Sequence, residues 1–242
     1  MDEASHSLTR IAAAGDRLLA TAAALTDAQA REPSLLPGWT RGHVLTHIAR
    51  NADGLRNLLI WARTGTEVPM YASAQARNDD IEAGAGRPAA GLVADVRESA
   101  AAFAAEAATL TGYDWTAQVR ALYGPPFSAL GVLERRLSEV EIHHVDLAAG
   151  YSPADWPAEF VADALPRVAD SFAGREDSPR CDVWTEGPPR QHFRIGPDQA
   201  SAPQAVIQGS PASVLAWLLG RADGTTLTVA FGGAVPELPP WR

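Results

Sequence analysis

Apolar residues recur at helical spacing through the first two thirds of the chain, and in short alternating runs through the last third. Ser5 to Leu25 carries Leu8, Ile11, Ala12, Leu18, Leu19, Ala22 and Leu25 on one broad stripe, the pattern of a bundle helix. The prolines and glycine of Pro33 to Trp39 make a loop. Thr40 then suits an N-cap, and a second helix runs to about Arg63, ended by Thr64-Gly65. A less regular piece from Glu67 to Gly86 predicts a short helix over Ala72 to Ala83, and Pro88 fits the first turn of a third long helix reaching Leu110. Thr111 to Pro126, with three aromatics and a Pro-Pro pair, reads as a connection, after which Ser128 is placed to cap a fourth helix over Leu130 to Leu147. Four long helices at this spacing predict a four-helix bundle.

The pattern changes after Gly150. YSPADWP breaks the helical period, Pro157 to Ala173 gives one more helix, and the short runs CDVW, HFRI, AVIQ and TLTVAF follow between Gly/Pro turns, with a helix at Ser210 to Arg221. These predict a small domain in which a curved antiparallel sheet carries helices on one face. The fold class is therefore α+β, with a helical-bundle domain over residues 1–152 and a small α+β domain over 153–242.

Length agrees with that division, since 242 residues suffice for two modest cores. Charge narrows the partners: a formal net charge of −9, with 20 scattered cations, argues against a nucleic-acid or anionic-membrane surface and points to a small molecule. The start MDEASHSLTR lacks a basic and an apolar signal region, and later apolar runs are broken before about 18 residues, which predicts a cytoplasmic protein. The single cysteine, Cys181, rules out an internal disulfide, and its neighbour Asp182 would not favour a thiolate; it reads as a strand residue without chemistry. Oligomeric state is not legible.

The candidate chemistry lies in LGVLERRLSEVEIHHVDL, from Leu130 to Leu147. Leu130, Leu133, Leu137, Val140 and Leu147 form its apolar stripe, and Glu139 and His143, four residues apart and so within about 40° on a helix, flank that stripe. On the second helix Val44, Ile48, Leu55, Leu58 and Leu59 define an inward arc that includes His47 and Asn51, with His43 at its edge. His47, Glu139 and His143 give two imidazoles and a carboxylate, the three-ligand pattern of a catalytic zinc site with one open position. The same ligand types suit Fe, Mn, Ni or Co. His144 and Asp146 are placed to orient a ligand imidazole. The plainer reading is an i,i+4 face pair at Glu139 and His143, with His47 a core histidine bonded to a carbonyl. Asn51 and Arg136 read either as cavity-facing or as packing and salt-bridge residues.

LLPGWTRGHVLTHIARNADGL (Leu35 to Leu55), RRLSEVEIHHVDLAAGYSPADWP (Arg135 to Pro157) and SPASVLAWLLGR (Ser210 to Arg221) together resemble the mycothiol-dependent maleylpyruvate isomerases, across essentially the whole chain. The resemblance implies a DinB-like N-terminal bundle, metal ligands at His47, Glu139 and His143, and a catalytic arginine at Arg221. It implies zinc and mycothiol, a sugar thiol, as cofactors. The zinc-bound thiolate would add to the cis double bond of maleylpyruvate, allow rotation, and leave to give fumarylpyruvate, while Arg221 would hold a substrate carboxylate. The same machinery with another pocket would make a mycothiol S-transferase. A non-catalytic metal- or thiol-binding module is the third reading.

Overall fold

The computed structural model describes residues 3–197 and 202–241. Its contacts divide the chain into two compact units, Met1–Tyr151 and Ser152–Arg242.

The first unit is built on α1 (Glu3–Ala23), a short α2 (Asp27–Ala30), α3 (Arg41–Thr64), α4 (Ala74–Ala85), α5 (Ala89–Ala107) and α6 (Leu130–Asp146). Helix α3 packs on α5 and α6, and α1 packs on the same two from the other side, closing the four-helix bundle that the stripes predict; α4 lies along α3. Leu55, Leu58, Leu59, Phe103, Val132 and Leu133 fill the core at one end. The sequence sets the ends of α3. The Thr40 side chain accepts from the His43 N–H while the His43 ring accepts from the Thr40 N–H, and Gly65, at φ +69°, turns the chain out at the other end.

One expectation fails here. Ser128 does not cap α6. Gln118–Val119 (β1) and Phe127–Ser128 (β2) form a two-residue antiparallel hairpin within the connection, Ser128 pairing with Gln118. The chain enters α6 directly through Ala129, whose N–H bonds to the Ala117 carbonyl at 2.8 Å, and no side chain caps the helix.

The second unit comprises α7 (Ala158–Asp170), β3 (Cys181–Thr185), β4 (His192–Ile195), β5 (Ala205–Gly209), α8 (Pro211–Leu218) and β6 (Thr228–Phe231). The strand order is β4-β3-β5-β6. The expected antiparallel sheet is in fact mixed: β3 and β5 run parallel, from Cys181 opposite Ala205 to Thr185 opposite Gly209, while the other pairs are antiparallel. With β4 occupying one edge of β3, the chain that reverses after β4 runs in the direction of β3 and takes its free edge. Cys181, Val183, Ala205 and Ile207 alternate inward and are buried, α8 packs on β3 and β5, and α7 packs on α8 and β4. Ser210 caps α8 by accepting from the Ser213 N–H. That helix ends before Arg221, which lies in the turn after it: its N–H bonds to the Ala216 carbonyl and its Nη1 donates to the Leu219 carbonyl at 2.7 Å.

Among the described residues, no helix is long and apolar enough to cross a membrane.

Candidate metal centre

The N-cap at Thr40 fixes the phase of α3, and with it the direction of His47, which points into the bundle and is 4% exposed. From α6, Glu139 and His143 come to meet it. His47 Nε2 lies 3.0 Å from Glu139 Oε2 and 3.0 Å from His143 Nε2, and His143 Nε2 lies 3.3 Å from Glu139 Oε2. The two rings stand edge to face, centroids 4.5 Å apart. The set opens on one side: the Glu139 side chain is 32% exposed, that of His143 15%.

The set is electrically graded. Burial, reinforced by the charge of His143, pulls the His47 imidazole down to about 4, so it is neutral. Burial would lower His143 as well, but hydrogen bonds with Asp146 and Glu139 outweigh it and hold that ring up at about 9. Burial works against the Glu139 carboxylate too, yet its bonds with the two imidazoles keep it well below the usual carboxylate range. Asp146, fully buried, accepts from His143 Nδ1 at 2.7 Å and so turns Nε2 toward the set.

The neighbours divide into those within reach of the set and those that face elsewhere. His144 bonds Thr21 Oγ1 through Nε2 at 2.8 Å and stacks on Tyr151, centroids 3.7 Å apart. His43 uses Nδ1 in the α3 cap and turns Nε2 to Glu82. Asn51 and Arg136, both buried, bond to each other one turn from the set. Two neighbours escape sequence reasoning. Arg77 on α4 donates from Nη2 to His47 Nδ1 at 3.1 Å, and Tyr71, ahead of α4, lies under the Arg77 guanidinium, 5.9 Å from its ring centroid. Burial, together with the charge of Glu139, pushes the Tyr71 hydroxyl up to about 12. Arg77 is the lone cation among four acids from Glu67 to Glu82, which is the one signal the sequence offers for it.

His47, Glu139 and His143 form a group that could hold a metal ion. Ligand atoms about 2.0–2.1 Å from a tetrahedral zinc lie about 3.3 Å apart. The three edges found here fall within a few tenths of that, and no thiolate competes. A four-helix bundle that gathers two imidazoles and a carboxylate, open on one side, is an arrangement from which helical bundles can build a metal site.

The family is more specific. Residues 11–148 match the mycothiol maleylpyruvate isomerase N-terminal domain and residues 155–240 match the MDMPI C-terminal domain. The chain belongs to the mycothiol maleylpyruvate isomerase family. Among solved structures it is similar to a crystal structure of the mycothiol-dependent maleylpyruvate isomerase, with a TM-score of 0.88 at 29% identity over 99% of this chain and 98% of that one. A histidine-to-alanine mutant of that enzyme matches with the same TM-score and coverage at 28% identity. No curated protein sequence matches significantly.

Proposed function

We propose that the chain is a mycothiol-dependent maleylpyruvate isomerase whose metal is zinc, held by His47, Glu139 and His143. The observation that carries this is the convergence of those three donors in a chain whose two halves both match the isomerase family. Zinc at this set would supply a Lewis acid with an open position at which a thiol loses its proton near neutral pH. Mycothiol would supply that thiol, and with it the reversible nucleophilic addition that frees rotation about the cis double bond and yields fumarylpyruvate.

The chain's own residues prepare for this chemistry. Asp146 fixes the His143 ring so that its Nε2 faces the metal position, and Trp39, its ring 5.5 Å from that of His47, covers the other ligand imidazole. Glu139 brings one negative charge to the donor set, so that a dication bound there keeps a net positive charge and still attracts an anionic thiolate. Arg221, in the turn after α8, offers a planar fork suited to a substrate carboxylate.

The test has two arms. Purified protein should contain about one zinc per chain, and His47→Ala should lose it; metal retained at wild-type stoichiometry after that change rejects the ligand set. With mycothiol and maleylpyruvate, the loaded protein should form fumarylpyruvate while the thiol is returned unchanged. A stable thiol conjugate in place of fumarylpyruvate would make the chain an S-transferase, and absence of any thiol reaction would leave a binding module.

A further inference from the structure

The bundle buries a second cationic group that neither the metal set nor the core requires. Arg136 precedes Glu139 by one turn on α6 and is 2% exposed. Its Nη1 donates to the Ile48 carbonyl at 2.9 Å and to Asn51 Oδ1 at 3.0 Å. A guanidinium has five N–H donors. Among the described residues the three on Nε and Nη2 find no acceptor, and no carboxylate pairs with the group. Burial lowers Arg136 to about 10, which leaves it charged at neutral pH. Proteins seldom bury a cation in this way without a partner.

Its position relates it to the metal set. Arg136 and His143 are seven residues apart on α6 and so face within about 20° of each other, and Ile48 and Asn51 belong to the turn of α3 that follows His47. The third wall is Tyr71. Its ring packs where Gly54 has no side chain, a Cβ there falling 3.0 Å from Tyr71 Cε1, and Gly54 is seven residues beyond His47 on the same face of α3. The charged groups that act on Arg136 are Glu139, Tyr71 and Asp53, and Asp53 is already paired with Arg50 at 2.9 Å. Arg136, Asn51 and Tyr71 thus make a polar floor beside the metal set, within one helical turn of Glu139, whose side chain marks the open side.

We infer that Arg136 is a carboxylate-binding residue of the substrate site, set inside the helical unit and tethered by Asn51 and the Ile48 carbonyl so that its Nε–Nη2 edge points at the ligand. This inference rests on the isomerase reading and deepens it. The proposed substrate is an unsaturated keto-dicarboxylate, so a carboxylate enters with it and needs a donor beside the metal set. The Nε–Nη2 edge is the edge through which a guanidinium takes a carboxylate by two parallel N–H···O bonds. The protonated Tyr71 hydroxyl offers a further donor beside it.

The experiment uses the zinc-loaded full chain without thiol, so that nothing turns over, and maleate as the dicarboxylate probe, read by calorimetry. Arg136→Met keeps the volume and removes the charge; Arg136→Lys keeps the charge and removes the fork. Both should weaken maleate binding at least tenfold while zinc stoichiometry stays at one per chain, and with mycothiol present both should raise KM more than they lower kcat. Wild-type maleate affinity in either folded variant overturns the inference. So does loss of zinc together with maleate, which would make Arg136 a brace for the metal ligands. A wild-type chain that binds no zinc or forms no fumarylpyruvate fails the isomerase reading instead, whatever Arg136 does.

Discussion

His47 and His143 are the same residue, edge to face inside one bundle, yet one is held near 4 and the other near 9. The difference comes from their partners. His143 lies between two carboxylates, Glu139 and Asp146, whereas His47 has burial and two cationic neighbours against it. For metal-free protein this sets a pH window with a definite sign. His143, raised above its ordinary 6.5, contributes stability that is full below about 6.5 and is lost as pH rises through about 9. His47, lowered, contributes stability that is present above about 6.5 and is lost as pH falls through about 4. The thermal midpoint of chelator-treated protein should therefore fall between about pH 6.5 and 9, and metal-loaded protein, whose His143 no longer holds that proton, should lack this decline. A flat profile for the chelated protein would contradict the assignment. Asp146→Asn should weaken metal affinity about 10–100-fold without unfolding the bundle, read by competition with a metal indicator. At this scale the sequence is informative wherever helical phase applies. It places His47, Glu139 and His143 on facing arcs and sets His43 aside. Arg77 and Tyr71 are missed because they come from α4 and its lead-in, where no strong apolar stripe defines an inward face, and because their approach to the set is a tertiary contact.

At the scale of elements, the start of α3 and the end of α4 are pressed together. A Cβ at Gly42 would overlap the Ala85 carbonyl oxygen, and one at Gly84 would overlap the Thr46 side chain. The contact holds α4, and with it Arg77, against the helix that carries His47. Gly42→Ala has no flexible side chain to displace, only backbone, so it should cost about 1–3 kcal/mol in urea unfolding; a change within about 0.5 kcal/mol would mean that α4 yields easily. The long helices are legible for local reasons, since Thr40 and Gly65 mark the ends of α3 as their chemistry requires. Four-residue α2 and the two-residue strands β1 and β2 are too short to carry a period, so the hairpin that leads into α6 is hidden and Ser128 is misread as a cap. The parallel pairing of β3 with β5 is hidden for another reason. Alternation in CDVW and AVIQ reports which face is buried, and both directions of pairing bury the same face.

At the scale of the molecule, the chain has a single thiol and no lysine amine, although its proposed chemistry is nucleophilic. All 20 of its cations are arginine, so no lysine amine is present. Its one thiol, Cys181, is 2% exposed on β3, and burial, with the charge of Asp182 adding to it, raises it to about 11. At neutral pH roughly one such thiol in ten thousand is ionised. Iodoacetamide should accordingly leave the native chain unmodified by mass spectrometry and label one site after unfolding; rapid labelling of native protein would show that Cys181 is reachable. The wider consequence concerns selectivity in a cell that contains many electrophiles. Because this chain keeps its only thiol inside a sheet and dispenses with lysine, an electrophile that reaches it meets an exchangeable small thiol before any thiol or amine side chain of the polypeptide. Alkylation would then consume a replaceable molecule, and fresh thiol would restore the catalyst without new synthesis of protein.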